Sequence, residues 1–172
     1  DVKEAILNRR SVRSFKDKKI PDETMEDIMD SVRMAPSASN KQDWRFVIVT
    51  DEKVKEKVYK AANQQSFVKE APAVVAGITT NPDYKMSCGI PSGIVDVTIA
   101  LDHLTLRAAE EGLGTCWIGA FDQERTKEIL NVPEEYEIVA LMPVGYPKES
   151  LKKKEKSRDD LEDIVSYNSF PD

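Results

Sequence analysis

Residues 91–111 read PSGIVDVTIALDHLTLRAAEE, and they form the longest helix that the sequence predicts. Apolar side chains cover nearly its whole circumference and not a single stripe: Ile94, Val95, Val97, Ile99, Ala100, Leu101, Leu104, Leu106, Ala108 and Ala109. A helix that is apolar all round is buried all round. In a single domain, packing against a second copy is one way to bury it. Gly112 and Gly114 then end the helix as C-cap glycines.

Shorter elements lie on both sides of this helix. Periodicity and capping residues predict helices over residues 2–10, 21–35, 51–62 and 122–130, and strands over 45–49, 73–79, 115–118 and 138–144. The strand 73–79 is almost continuously apolar, which predicts a central strand covered on both faces. Helices and strands alternate throughout the chain. The class is therefore α/β or α+β, with one sheet and helices packed on it.

Length and composition exclude several kinds of protein. The 172 residues fit one domain, residues 1–172, with a formal net charge of −6. An acidic chain is a poor nucleic-acid or anionic-membrane binder, and no apolar run reaches the roughly 20 residues of a spanning helix. Two widely spaced cysteines and one histidine do not make a structural zinc site. The N-terminus has no signal-peptide pattern, and free cysteines fit a reducing compartment, so we expect a cytoplasmic protein.

Positive charge is concentrated near the two ends of the chain. Residues 1–19 hold seven basic and three acidic residues, and residues 148–158 hold six basic and two acidic ones. Each segment carries a net charge of +4, which leaves −14 for the rest of the chain. Most charge runs are solvated surfaces. The alternative is that both segments converge on one small anion, such as a phosphate.

Two polar motifs bear on chemistry. In the segment RRSVR, Arg9, Ser11 and Arg13 share one side of an extended chain, which is an arrangement that suits a phosphate. A basic, solvent-facing turn is the plainer interpretation. The loop PSASN, residues 36–40, offers hydroxyl and amide groups ahead of Trp44. The glycines at 112, 114 and 119 end a helix and enter a strand, so they do not form a dinucleotide-binding loop.

Five motifs in order show a family resemblance. They are RRSVRSF at 9–15, APSASN at 35–40 with Trp44, EAP at 70–72, GLGTCWIGAF at 112–121 and KSR at 156–158. Each is weak alone, but in this order the chain resembles, over nearly its whole length, the FMN-dependent nitroreductase family in its short form. The resemblance implies an α+β fold with a mixed central sheet flanked by helices. It also implies an entwined homodimer with FMN at the interface and the tail, about residues 151–172, wrapping the partner.

The resemblance also assigns expected roles to individual residues. Cofactor binding is expected from Arg9, Arg10, Ser11, Arg13, Pro36, Ser37, Ser39, Asn40, Gln64, Gly119, Ala120, Lys156 and Arg158. The basic residues would hold the FMN phosphate, and residues 36–40 would reach the flavin of the other subunit. Gln64, or its neighbour Gln65, would bond the edge of the ring, with Gly119 and Ala120 near N5. No catalytic side chain and no metal are expected, because the cofactor carries the hydride.

The implied activity is an FMN-dependent NAD(P)H oxidoreductase that reduces a small acceptor such as a nitroaromatic or a quinone. The alternatives are a flavoenzyme of the same fold with other chemistry, such as dehalogenation, and a non-catalytic FMN-binding or storage dimer. Two departures concern the substrate more than the cofactor. Asp43 stands where proline is common in the family, and residues 81–93, with Cys88, fall in a variable pocket-side segment.

Overall fold

The computed structural model describes residues 1–149 and 156–171. The helices are α1 Val2–Asn8, α2 Asp22–Arg33, α3 Glu52–Ala61, α4 Ser66–Glu70, α5 Ser92–Glu110, α6 Gln123–Leu130 and α7 Leu161–Ile164. The strands are β1 Trp44–Val49, β2 Ala73–Thr79, β3 Gly114–Thr115 and β4 Glu137–Gly145, and a 3₁₀ turn spans Ala38–Asn40. This order confirms the α+β class.

One four-stranded sheet organises the molecule, in the order β1-β2-β4-β3, and its strand pairs are all antiparallel. Every residue of β2 is buried, so the predicted central position of this strand is confirmed. A mixed sheet was expected. Between the described residues the parallel component is confined to one isolated bridge, from Ser11 to Thr115. The N-terminal segment reaches the sheet edge there without forming a strand.

A hydrophobic core lies on each face of the sheet. On one face α2 and α5 pack against side chains that include Val75 and Met142. On the other face the core includes Val58 of α3, Val68 of α4 and Leu141. Gly77 decides how closely α5 approaches the sheet, since a Cβ there would lie 2.7 Å from Cδ1 of Leu101.

Within the single protomer α5 is buried on one side only, and burial of its other side against a second copy stays a prediction. The side that faces the sheet is buried, with Val97 and Leu101 at 0% exposure. On the opposite side Ile94 is 46% exposed, and Thr98 and Asp102 are exposed as well. A helix that lies on one face of a sheet is covered by that sheet on one side only, so the other side of α5 is open in the protomer.

Local signals placed most elements within a residue or two. Asp122 caps α6 as predicted, because its side chain accepts a hydrogen bond from the Arg125 amide. Gly112 ends α5 with a φ of +71°, as expected of a C-cap glycine. Gly114 has another role: it starts β3, where a Cβ would overlap the Val12 side chain. The strand predicted over 115–118 is short, since Ile118 makes only a single bridge to Leu141.

The C-terminal tail leaves its apolar side chains uncovered in the protomer. Leu161 is 72% exposed, Ile164 66% and Phe170 91%. Residues 150–155 and 172 lie outside the described residues, and residues 151–155 and 172 belong to the segment predicted to wrap a partner. In the part of the chain that is described, no helix is long and apolar enough to cross a membrane.

Candidate functional site

The N-terminal segment is bound to the edge of the sheet where β3 lies. The amide of Val12 donates to the Thr115 carbonyl at 2.9 Å, and Ser11 bridges the same residue. Gly114 permits this contact because it has no Cβ to strike Val12. Arg9, at the end of α1, and Arg13 are therefore held beside β3 by main-chain bonds.

The two basic ends of the chain meet at this edge. Lys156 Nζ donates to the Ile6 carbonyl of α1 at 2.7 Å, across 150 residues of sequence. Burial is the largest cause that lowers the pKa of Lys156, and the charges of three neighbouring guanidinium groups come next, those of Arg9, Arg10 and Arg158. We call Arg9, Arg10, Lys156 and Arg158 the cationic cluster. Lys152, Lys153 and Lys154 lie outside the described residues.

The cationic cluster is suited to an anion. Like charges that lower a lysine pKa disfavour its charged form, and a phosphate placed among them reverses that penalty. Arg13 lies further along the same edge, where its charge acts on Cys116. Burial raises the pKa of the Cys116 thiol, and the Arg13 charge opposes this rise. Cys116 is therefore a neutral core thiol and not a reactive one.

A second group of predicted residues lies around Ala120. Its carbonyl accepts hydrogen bonds from Asn63 Nδ2 and Gln65 Nε2, each at 3.3 Å. Gln65 Nε2 also donates to the Ala62 carbonyl at 3.1 Å, so its amide is engaged inside the protein. Gln64 is exposed, with a φ of +53°. Beside Gly119 there is open space, because a Cβ built there meets no atom within 4 Å.

The loop of residues 36–42 is a compact polar turn ahead of β1. The amide of Asn40 donates to the Ser37 carbonyl at 2.9 Å, and the amide of Gln42 donates to Ser37 Oγ at 3.1 Å. Trp44, which follows the turn, is buried. Ala38 is bound from another element, since its amide donates to Asp96 Oδ1 of α5 at 3.1 Å.

One protomer does not bring this loop to the cationic cluster. The loop joins β1 at Trp44, which pairs with Thr79, whereas Thr115 pairs with Val144 at the far end of β4. β1 and β3 are the two edges of the sheet. A strand spacing of about 4.8 Å and a rise of about 3.3 Å per residue place Trp44 and Thr115 about 25 Å apart. The Arg9, Gln64 and Ala120 regions share one edge, and Ser37 to Asn40 lie at the opposite corner.

Residues 81–93 are tied to the same loop. Asn81 Nδ2 donates to Asp43 Oδ2 at 3.0 Å, and Lys41 Nζ lies 4.1 Å from the centre of the Tyr84 ring. Asp43, the departure from the family pattern, therefore anchors the pocket-side segment by a hydrogen bond. Cys88 is exposed near the tip of this segment.

Asn63 and Asp96 are not among the residues predicted from the sequence. Asn63 gives no signal beyond its place beside Gln64. Asp96 has one, because it is an acidic residue flanked by Val95 and Val97 near the start of an apolar helix, where a buried carboxylate needs a partner.

One further groove on the surface is lined by residues outside the expected site. A groove of about 1260 Å³ opens between α2, β1 and α3, with Ile48, Lys55 and Glu70 among its lining residues. It lies apart from the cationic cluster. Within residues 1–149 and 156–171, no group of three or more His, Cys, Asp or Glu side chains is placed to hold a metal ion.

Comparison with known proteins identifies the family of the chain. The model of the Nitroreductase family matches residues 6–92 and 63–146. The chain belongs to the nitroreductase family. A relative from Archaeoglobus fulgidus, provisionally named an NADH dehydrogenase/NAD(P)H nitroreductase, is 32% identical over 149 residues, which are 84% of each chain.

Two further nitroreductase-family comparisons bear on chemistry. The solved structure of an FMN-dependent nitroreductase from Clostridium difficile R20291 has a TM-score of 0.81 and 26% identity, covering 97% of this chain and 99% of its own. An iodotyrosine deiodinase from Thermotoga neapolitana is 28% identical over 190 residues, covering 94% of this chain and 95% of its own.

Proposed function

We propose that this chain is an FMN-dependent NAD(P)H oxidoreductase that reduces a small organic acceptor. The observation that carries the proposal is the cationic cluster, in which Lys156 and Arg158 from one end of the chain meet Arg9 and Arg10 from the other. The charges of the three guanidinium groups act on Lys156, and such a concentration of positive charge suits an anionic ligand. The names of the nitroreductase-family relatives, which include FMN and NAD(P)H, support flavin phosphate as that anion.

The chain's own residues would bind and orient the cofactor. The cationic cluster, with Ser11 and Arg13, would hold the phosphate by charge-assisted hydrogen bonds. Gln64, whose neighbour Gln65 is engaged with Ala62 and Ala120, would bond the edge of the ring. The open space at Gly119 gives a planar ring room beside the main chain of residues 119–120.

Bound FMN would supply the redox chemistry that carries reducing equivalents from NAD(P)H to the acceptor. The protein then has to position the ring and exclude competing reactions; it does not have to supply an acid or a base. The histidine of this chain supports that division, because His103 Nδ1 lies 3.2 Å from the Ser31 carbonyl and joins α5 to α2.

A homodimer completes the proposed site. The loop that contains Pro36, Ser37, Ser39 and Asn40 lies about 25 Å from the cationic edge of its own protomer, so we assign it to the flavin bound by the second copy. The uncovered side of α5 around Ile94 and the exposed apolar tail at Leu161–Ile164 support such an assembly. Both need a cover that the protomer does not provide.

A second candidate activity is favoured by one relative. The deiodinase from Thermotoga neapolitana aligns with 94% of this chain, which supports a reductive dehalogenase of the same fold as the alternative. The third candidate function is a storage dimer that binds FMN without turnover. The free thiols Cys88 and Cys116 support a reducing, cytoplasmic setting.

The test is an absorbance spectrum of the purified protein followed by anaerobic titration with NADH and with NADPH. We expect a yellow protein that releases FMN on denaturation and bleaches with at least one nicotinamide. Turnover with nitroaromatic, quinone and iodinated phenol acceptors then separates the reductase from the dehalogenase. If the protein binds flavin that neither NADH nor NADPH reduces, the result supports the non-catalytic storage dimer. If the protein does not bind added FMN, the proposal is refuted.

A further inference from the structure

Near its N-terminus, α5 contains a buried carboxylate that the packing of the protomer does not explain. Asp96 is 3% exposed. Its Oδ1 accepts the amide hydrogen of Ala38 at 3.1 Å, while its Oδ2 is fully buried and has no partner among the described residues. A buried carboxylate with an unpaired oxygen lowers the stability of a fold. Stability of the protomer is therefore not what Asp96 contributes.

The loop that Asp96 holds adopts a costly conformation. Ser39, Asn40 and Gln42 have φ values of +52°, +54° and +56°, in the left-handed region that favours glycine. Bonds inside the loop, through Ser37, close the turn on itself but do not fix where it stands on the protein. The hydrogen bond between the Ala38 amide and Asp96 joins the first residue of the 3₁₀ turn, Ala38–Asn40, to α5.

We propose that Asp96 is a positioning residue of the flavin site. By holding the Ala38 amide it sets the direction in which Ser37, Ser39 and Asn40 leave the surface of α5 and meet the cofactor of the second copy. This inference rests on the proposed function. The Oδ1 atom of Asp96 accepts the hydrogen bond from Ala38. Another side chain that places an oxygen acceptor at the same point will therefore also position the loop.

The experiment removes the same hydrogen bond from each side. Asp96→Leu removes the acceptor, and Ala38→Pro removes the amide donor. Proline suits position 38, because it is the first residue of the turn and Ser37 has an extended conformation, with φ −139° and ψ 157°. The control is Thr105→Val, which alters another buried polar side chain of α5 whose hydroxyl bonds only within the helix.

Apoprotein prepared from each variant is titrated with FMN, and the visible spectrum of the loaded protein and the Tm of the apoprotein are recorded. We expect Asp96→Leu and Ala38→Pro each to weaken FMN binding at least tenfold and to alter the flavin band, while the apoprotein Tm falls by no more than about 3 °C. The double variant adds no further loss, because both changes break one bond. Asp96→Asn, which keeps an oxygen acceptor, and Thr105→Val stay within threefold of wild type.

Each other result overturns the inference. It fails if Asp96→Leu binds FMN like wild type, if Asp96→Asn is as weak as Asp96→Leu, or if the losses of the two single variants multiply in the double variant. It also fails if Thr105→Val loses as much affinity as Asp96→Leu. All of these outcomes leave the proposed function intact. A wild-type protein that does not bind FMN is a different result, which refutes the proposed function and this inference together.

Discussion

Replacing Lys156 by methionine separates binding from stability at the cationic cluster. In the folded protein, burial and the charges of Arg9, Arg10 and Arg158 lower the pKa of Lys156, so the folded state disfavours its charge. Removing the charge relieves that penalty, while the 2.7 Å bond to the Ile6 carbonyl is lost. The two effects oppose each other. We expect the free energy of unfolding of the apoprotein to change by less than about 0.5 kcal/mol.

The same substitution, Lys156→Met, is expected only to weaken FMN binding. Losing a hydrogen bond to a charged group costs about 1.5–3 kcal/mol, which raises Kd about 10- to 150-fold. Fluorescence titration of apoprotein with FMN measures this change. When the titration is repeated at about 1 M salt, the Debye length falls to about 3 Å. We then expect a smaller difference in Kd between Lys156→Met and wild type.

The matched control for Lys156→Met is Lys57→Met, an exposed lysine of α3 that lies outside the cationic cluster. It makes the same change in net charge. If Lys57→Met weakens FMN binding as much as Lys156→Met does, the cluster is only part of the general charge of the protein. If Lys156→Met leaves Kd unchanged, or unfolds the apoprotein instead, the phosphate assignment is refuted.

Three further outcomes are expected. Gly119→Val keeps the Tm of the apoprotein, because its Cβ meets no protein atom, but abolishes FMN binding; retained flavin in a spectrum of the purified variant contradicts this. Lys148, 3.0 Å from Glu70, lowers the pKa of that carboxyl, so the pair stabilises the fold at neutral pH and the contribution is lost as pH falls through the folded-state pKa. The Tm advantage of wild type over Glu70→Gln therefore shrinks below about pH 4, as a thermal melt series will measure. We expect Gln64→Ala to weaken FMN binding without a change in Tm, and Gln65→Ala to lower Tm because it removes bonds to Ala62 and Ala120. If instead Gln65→Ala weakens FMN binding and Gln64→Ala lowers Tm, Gln65 is the residue that binds the ring.

Local sequence signals were sufficient for most elements. The almost continuously apolar run at Ala73–Thr79 predicted a central strand and Asp122 predicted a helix cap, since both patterns act within a few residues. The α4 helix, Ser66–Glu70, was not predicted, because five residues are too few for a periodic pattern to appear. The strand predicted over 115–118 is shorter in the structure, since pairing depends on a partner that the local sequence does not name.

For the candidate site too, some features could be predicted from the sequence and others came only from the structure. The resemblance predicted the residues of the cationic cluster, and uneven charge along the chain pointed to its two halves. Only the fold brings Arg9 and Lys156 together at the β3 edge. There the hydrogen bond from Lys156 to the Ile6 carbonyl joins residues 150 positions apart in the chain. The preference for Gln64 over Gln65 as the exposed amide also came from the structure, through the bonds that engage Gln65.

By itself the sequence determined the class of fold, the central strand, the helix ends and the residue types that suit an anionic cofactor, because these follow from side-chain chemistry and short-range periodicity. Only the tertiary structure decided which side of α5 is covered, that residues 36–42 lie at the corner opposite the cationic cluster, and that Asp96 binds Ala38. Such contacts join residues far apart in the chain. Their geometry is fixed by how the helices pack on the sheet, and no local pattern records it.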